Sequence, residues 1–323
     1  MNNFELAKAH TTDQARDLLA EQPNSVVKAG GIDVIDHLKQ HLIAPDRLVD
    51  IKSISGLDEI DVDGDGTMKI GALVTLAQVA AHDDIKESFP ALAHACGEAA
   101  SPQIRNVATI GGNLLQRPRC WYYRLESYKC IKKGGDTCFA IAGMNRYNVI
   151  FGGGPAYPPH PSSAAVPLVA YGAAFVLAGP EGTRTVPAGE FFALPDVDPE
   201  RESTLKEGEI LTEIRVPSTA GAKSAYAEIR ERAGFDWPVV SAAVSIEADG
   251  GTVKSARIVL GQVATIPWRA TKAEEALVGQ PLGGPSAEAA GQAAVDGAEP
   301  MTHNGYKVEL VTALVRRVIA SLA

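Results

Sequence analysis

Long apolar stretches are missing from this chain of 323 residues. None reaches the roughly 18 residues that a membrane helix needs, so no span is expected. The first residues, Met1-Asn2-Asn3-Phe4-Glu5, supply neither a basic nor an apolar leader region. The expectation is a cytoplasmic protein, or a periplasmic one if it is exported together with a partner. Excess positive charge is missing too. A net charge of −9 argues against a nucleic-acid binder, whose footprint is a basic face. Four cysteines are too few for a disulfide framework in so long a chain, which leaves metal ligation or reduced thiols. The Gly-x-Gly-x-x-Gly fingerprint, the Gly-Lys-Ser/Thr ending of a P-loop, and triad or metalloprotease motifs are all absent. Any dinucleotide therefore sits in a different fold.

What is present concentrates between Ser101 and Cys138. Gln103-Ile104-Arg105-Asn106 leads through Thr109-Ile110-Gly111-Gly112-Asn113 into Gln116-Arg117-Pro118-Arg119-Cys120, with Cys130 and Cys138 beyond. A glycine pair that exposes backbone thus runs directly into three of the four cysteines. This points to a phosphate-bearing cofactor beside a metal cluster. The cysteine spacings lack the close pairs of structural zinc sites and suit an iron–sulfur cluster, with three unrelated buried thiols as the plain alternative. An earlier glycine pair, Gly30-Gly31, follows a strand at Ser25–Ala29 and opens a helix at about Val34. Strand, double glycine and helix N-terminus make an anion trap, and a tight turn would explain the glycines equally well.

Elsewhere the chain reads as mixed α and β. Helices are expected over 12–20, 76–81, 89–100, 272–277, 286–295 and 307–323, and a helical start over 166–173. Strands are expected at 48–51, 174–177, 183–186, 210–216, 224–230, 239–248 and 255–263. Asp61 to Gly66 imitates the start of a calcium loop, but Ala72 holds the twelfth position where a bidentate Glu belongs, so a hairpin turn is expected. Cys96 reads as a small buried residue. Arg230, Arg232 and Lys307 read as solvated surface, with phosphate binding as the alternative, and Trp237 as core or cofactor face. Composition shifts at Ser218-Thr219-Ala220-Gly221-Ala222, the expected domain boundary.

With these residues in view, the chain resembles the FAD-binding medium subunit of the molybdenum hydroxylase family, which includes xanthine dehydrogenase, carbon monoxide dehydrogenase and aldehyde oxidase. The resemblance rests on Ala29-Gly30-Gly31-Ile32-Asp33, Gln103 to Asn106, Ala108 to Asn113, Gly208 to Ile214 and Phe235-Asp236-Trp237-Pro238. It implies an α+β chain in two parts. The first, about 1–218, is a two-lobed FAD-binding domain of the vanillyl-alcohol-oxidase/PCMH type (lobes about 1–55 and 56–218, with an insert at about 117–158). The second, 219–323, is an α+β domain with a three-stranded antiparallel sheet and helices. Lys28, Ala29, Gly30, Gly31, Ile32, Asp33, Arg105, Thr109, Ile110, Gly111, Gly112, Asn113 and Ser163 would hold FAD, both glycine loops through backbone donors. No catalytic acid or base is implied.

The resemblance further implies partners: a large subunit with the molybdenum cofactor and a small one with [2Fe–2S] clusters, whose electrons FAD would pass to oxygen, NAD, quinone or a carrier. The cysteine segment is similar to the insert of a subset that adds a [4Fe–4S] cluster, with Cys120, Cys130 and Cys138 as ligands. Two positions depart from the pattern: Ala156 stands where the fourth cysteine is expected, and Ser163 where an Asp is usual. Three outcomes stay open: three thiolates with an exogenous or non-cysteine fourth ligand (Tyr157 and His160 lie near in sequence), a three-iron form, or a remnant without a cluster. Cys96 is a less favoured substitute for the missing cysteine. The rival readings are a self-contained flavin oxidase of the same fold, using His160 or Cys120 for covalent attachment, and a non-enzymatic metal-binding protein.

Overall fold

The computed structural model describes residues 1–219 and 221–323; Ala220, within the expected boundary segment, lies outside the described residues. Three sheets organise the chain. The first is parallel, in the order β1 (Glu5–Lys8), β3 (Arg47–Asp50), β2 (Ser25–Lys28). The Thr12–Glu21 helix, capped by the Thr11 hydroxyl, and the Ile32–Lys39 helix make its crossovers.

The second sheet is antiparallel and five-stranded. Its order is β4 (Ile60–Val62), β5 (Met68–Gly71), β8 (Ile210–Val216), β6 (Ala174–Gly179), β7 (Gly182–Pro187). Within Asp61 to Gly66, Asp61 and Val62 still belong to β4 and the turn into β5 starts at Asp63, with which Lys69 pairs at 2.7 Å. Phe175, Ile214 and Ile70 are fully buried on the same core as the Pro90–Glu98 helix, which carries Cys96.

The third sheet runs β12 (Trp268–Arg269), β11 (Thr252–Gly261), β10 (Val240–Asp249), β9 (Ala222–Ile229). It has four strands where three were expected, because the two-residue β12 is too short to show alternation and is held by the pair Leu260–Trp268. Ala242, Val244 and Ile246 face the C-terminal helix Tyr306–Ala320 and its Leu314 and Val318. The opposite face is covered as well: Ala243 and Val259 join the core of the five-stranded sheet. No helix among the described residues is long and apolar enough to cross a membrane.

The segment 145–160 is tied to the third sheet, far away in sequence. Ile150 and Phe151 amides donate to Val263 O, at 2.8 and 3.0 Å. The Asn304 amide donates to the carbonyls of Asn148 and Val149, and Lys307 Nζ to those of Tyr147 and Gln262. Lys307 is thus a correction to the surface reading: it is 1% exposed, with carbonyls satisfying its ammonium. Burial pulls its pKa down to about 7, against about 10.4 for an unfolded lysine. Between these values the unfolded chain binds the extra proton, so stability should rise with pH from 7 towards 10, by up to about 1.4 kcal/mol per unit. Denaturant titrations across that range check this, and Lys307→Met should flatten the slope.

Candidate functional site

The walls of one cleft, about 680 Å³, come from all three sheets. That volume is in the range of small-molecule and cofactor sites. Its floor is the meeting of the two glycine loops. A Cβ on Gly30 would collide with the Val107 carbonyl oxygen, and one on Gly111 would lie 2.9 Å from both Cβ and O of Ala72. Gly31 has φ +84° and opens the Ile32–Lys39 helix with no side-chain cap. The amides of that helix start are therefore available to an anion, and the helix dipole favours negative charge there.

The second loop is built otherwise. Ile110 N donates to Val74 O, Gly111 N to Ala72 O and Gly112 N to Thr109 Oγ1, at 2.8, 2.9 and 3.1 Å. Its amides are engaged within the protein, which differs from the expectation that both loops present free donors. Thr109, Gly111, Gly112 and Asn113 still line the cleft, with Ser162 Oγ donating to Asn113 Oδ1 at 2.6 Å.

Of the remaining candidates, Ala29, Ile32, Asp33 and Ser163 also line the cleft. Lys28, Arg105 and Ile110 do not. Lys28 pairs with Asp50 at 2.9 Å, Ile110 is buried in the core, and the Arg105 guanidinium donates to the carbonyls of Ala99 and Ala100. Arg105 thus acts on the cleft indirectly, by clamping the Ala99–Ser101 turn that lines it.

Asp33 is the hub of an ion network. It accepts from the Arg117 amide at 2.8 Å and pairs with Arg119 and Arg124, both at 2.9 Å. Asp36 pairs with Arg124 at 2.8 Å. Burial by itself would raise the Asp33 pKa; Arg119, Arg124 and the Arg117 amide outweigh it and hold the carboxyl below its usual range. Behind it His37 bonds the Asp33 carbonyl and the Tyr123 hydroxyl, and burial holds its pKa below the ordinary value. Arg119 also lies over the Trp237 ring, 4.5 Å from its centroid. Trp237 is accordingly neither core nor free surface: it is 44% exposed on the cleft rim beside Phe235. The sequence reading passed over Arg117 and Arg119 as cleft residues. Their signal was present, two arginines directly after the second loop.

The insert packs as an aromatic cluster in which Trp121, Tyr122, Tyr128, Phe139 and Tyr147 contact one another edge-on or stacked. Lys132 fastens it to the 199–202 loop through the carbonyls of Pro199 and Arg201 and the Glu202 carboxylate. Cys130 and Cys138 are buried and Cys120 half-buried, and all three are unbridged. Burial raises the pKa of Cys120 to about 11, and the neighbouring Cys138 and Cys130 add to the rise. The amides of Tyr122 and Tyr123 face the Cys120 sulfur, and that of Lys132 faces Cys130. Yet among the described residues no group of three or more His, Cys, Asp and Glu side chains is set to hold a metal ion. Cys96 is a core thiol, 0% exposed. His160 is buried against Phe192, with Nε2 unpartnered and its pKa pushed down to about 3.

Comparison with known proteins is decisive at this point. Residues 2–219 match the family described as the FAD binding domain in molybdopterin dehydrogenase. The chain belongs to that family. Residues 224–322 of this flavoprotein match the CO dehydrogenase flavoprotein C-terminal domain. It is 33% identical over 323 residues to the aldehyde oxidoreductase FAD-binding subunit PaoB of Escherichia coli, covering 99% of this chain and 98% of that one. To the carbon monoxide dehydrogenase medium chain of Hydrogenophaga pseudoflava it is 29% identical over 296 residues, 90% of this chain and 86% of that one. A solved structure of carbon monoxide dehydrogenase from that organism superposes with a TM-score of 0.77 at 28% identity, covering 98% of this chain and 96% of the other. The cleft wall with the uncapped helix start and Gly30 falls within residues 2–219, the part that matches the FAD-binding family.

Proposed function

We propose that this chain is the FAD-carrying electron-transfer subunit of a multi-subunit molybdenum oxidoreductase. A large partner would oxidise substrate at molybdenum, and a small partner would relay the electrons here through [2Fe–2S] clusters. The observation that carries the reading is the cleft in which Gly30 is packed on the Val107 carbonyl beside an uncapped helix start. FAD supplies the redox chemistry; this chain's residues bind it, exclude water and set its surroundings. The Gly30-Gly31 loop and the Ile32–Lys39 helix start would hold the pyrophosphate. Thr109, Asn113 and Ser163 would shape the opposite wall, and the exposed rim residues Phe235 and Trp237 mark the side open to an electron acceptor.

In this reading the insert carries an iron–sulfur cluster on Cys120, Cys130 and Cys138, with a fourth ligand that is not cysteine. Its support is the three cysteines in one insert with backbone amides facing two of them. As placed here the thiols do not converge on a metal position, so binding would have to draw them together. Flavin and iron per chain, measured on anaerobically purified complex, test both parts. The expected result is one FAD per chain and iron beyond the small subunit's share, lost in Cys130→Ser. FAD without extra iron would remove the cluster and leave the flavin reading standing. A colourless chain would sink both.

A further inference from the structure

The cleft wall contributed by β9 holds a carboxylate that no glycine-loop argument involves. Glu228 lines the cleft with its side chain 6% exposed. Its Oε2 accepts the Tyr226 hydroxyl at 2.5 Å. Its Oε1 is held by the Arg230 guanidinium. Arg230 divides itself between Glu228 and the carbonyl and carboxylate of Glu98, at 2.7 and 3.0 Å. The Tyr226 phenol is 3% exposed, with Ser163 and Ser241 beside it. A carboxylate offers about four lone-pair sites, and Tyr226 and Arg230 take one on each oxygen, leaving one on each. The carboxylate is held from behind by a buried phenol and from the side by a guanidinium, and it lines the cleft.

We propose that Glu228 is a positioning residue for the flavin nucleotide, accepting a hydrogen bond from one of its donor groups: the ring imide N–H or a sugar hydroxyl. The inference rests on the cleft holding FAD. It assigns the phosphate and the rest of the nucleotide to opposite kinds of protein partner. The uncapped helix start donates to an anion, whereas Glu228 accepts from a neutral donor, and its charge would repel a phosphate. Ser163, adjoining both the cleft and the Tyr226 phenol, belongs to the same wall.

The test is FAD titration of the full chain stripped of flavin, followed by fluorescence, together with a dye-linked reductive titration of the loaded protein. Glu228→Gln keeps the shape and removes the charge. It should weaken FAD binding at least tenfold while the apo-protein melts as the wild type does. If affinity falls and the midpoint potential rises, the donor is the ring imide; a tenfold preference for the reduced form corresponds to about 30 mV for a two-electron couple. If affinity falls at unchanged potential, the donor is a sugar hydroxyl. Either result carries the proposal. Should E228Q fold poorly, Tyr226→Phe, which keeps the carboxylate but removes its oriented donor, should still bind FAD several-fold more weakly. Affinity within twofold of wild type in a folded variant overturns it. Failure of the wild type to take up FAD would instead sink the functional reading itself.

Discussion

Gly30→Ala is expected to cost the chain its flavin. The new methyl would collide with the Val107 carbonyl oxygen, a backbone atom with no rotamer to escape into, so the two glycine loops must separate. Overpacking against fixed atoms costs about 1–3 kcal/mol, and a rigid backbone neighbour puts this case near the upper end. The larger effect is on binding. The Gly30 loop carries the free helix-start donors, so moving it takes them out of line with an anion. FAD per chain and the FAD dissociation constant check the prediction. Gly64→Ala is the control, because a Cβ there meets nothing within 4 Å.

Asp33→Asn should be the most destabilising single change in the network between cleft and insert. It leaves Arg124, 10% exposed, and Arg119, 24% exposed, facing an amide in place of a carboxylate. Removing one partner of a buried ion pair costs about 3–5 kcal/mol, because the remaining charge stays desolvated. Here Asp36 retains part of the compensation, so about 2–3 kcal/mol is expected. The same carboxylate gives an acid signature. Its folded pKa lies below the unfolded value of about 3.9, so its contribution is present above that pH and is lost as pH falls through the folded value. His160 acts earlier on the way down. Burial holds it neutral to about 3, while an unfolded histidine takes its proton near 6.5. Stability should therefore begin to fall below about 6.5, and the Asp33 loss should add to it below about 4. Urea titrations between pH 7 and 3 follow both phases. His37, also held below its ordinary value, adds to the upper one. Asp50 and Glu209 share the lower one, and Asp33→Asn should shrink chiefly that lower phase.

The two glycine loops were legible because glycine pairs mark places where backbone must approach backbone, and that requirement is local. The long strands Val240–Asp249 and Thr252–Gly261 were legible from alternation, and the β4–β5 hairpin from its Asp/Gly turn. What escaped was short or non-local. β1 has four residues, mostly exposed, and owes its existence to parallel pairing with β3. Lys307 reads as solvent-facing by residue type; only the carbonyls of Tyr147 and Gln262, distant in sequence, make its burial tolerable. Arg119 and Trp237 lie 118 positions apart, and nothing in either neighbourhood announces that they stack. The second loop's amides were expected to be free, but Ala72 and Val74 take two of them. Burial of Arg105 against its own turn was equally invisible, since an arginine beside a glycine loop looks like a phosphate ligand.

The strapping of residues 145–160 to Val263, Asn304 and Lys307 has a consequence for how this chain is made. A ribosome releases the insert and both glycine loops long before it releases the C-terminal helix, and early segments ordinarily fold first. Here Ile150 and Phe151 belong to the core completed by Leu314 and Val318. The middle of the chain therefore waits, with its apolar side chains uncovered, until the Tyr306–Ala320 helix has emerged. Truncation after residue 300 should yield aggregates in place of a smaller flavoprotein, and loading of the cofactor becomes an event that follows emergence of the Tyr306–Ala320 helix.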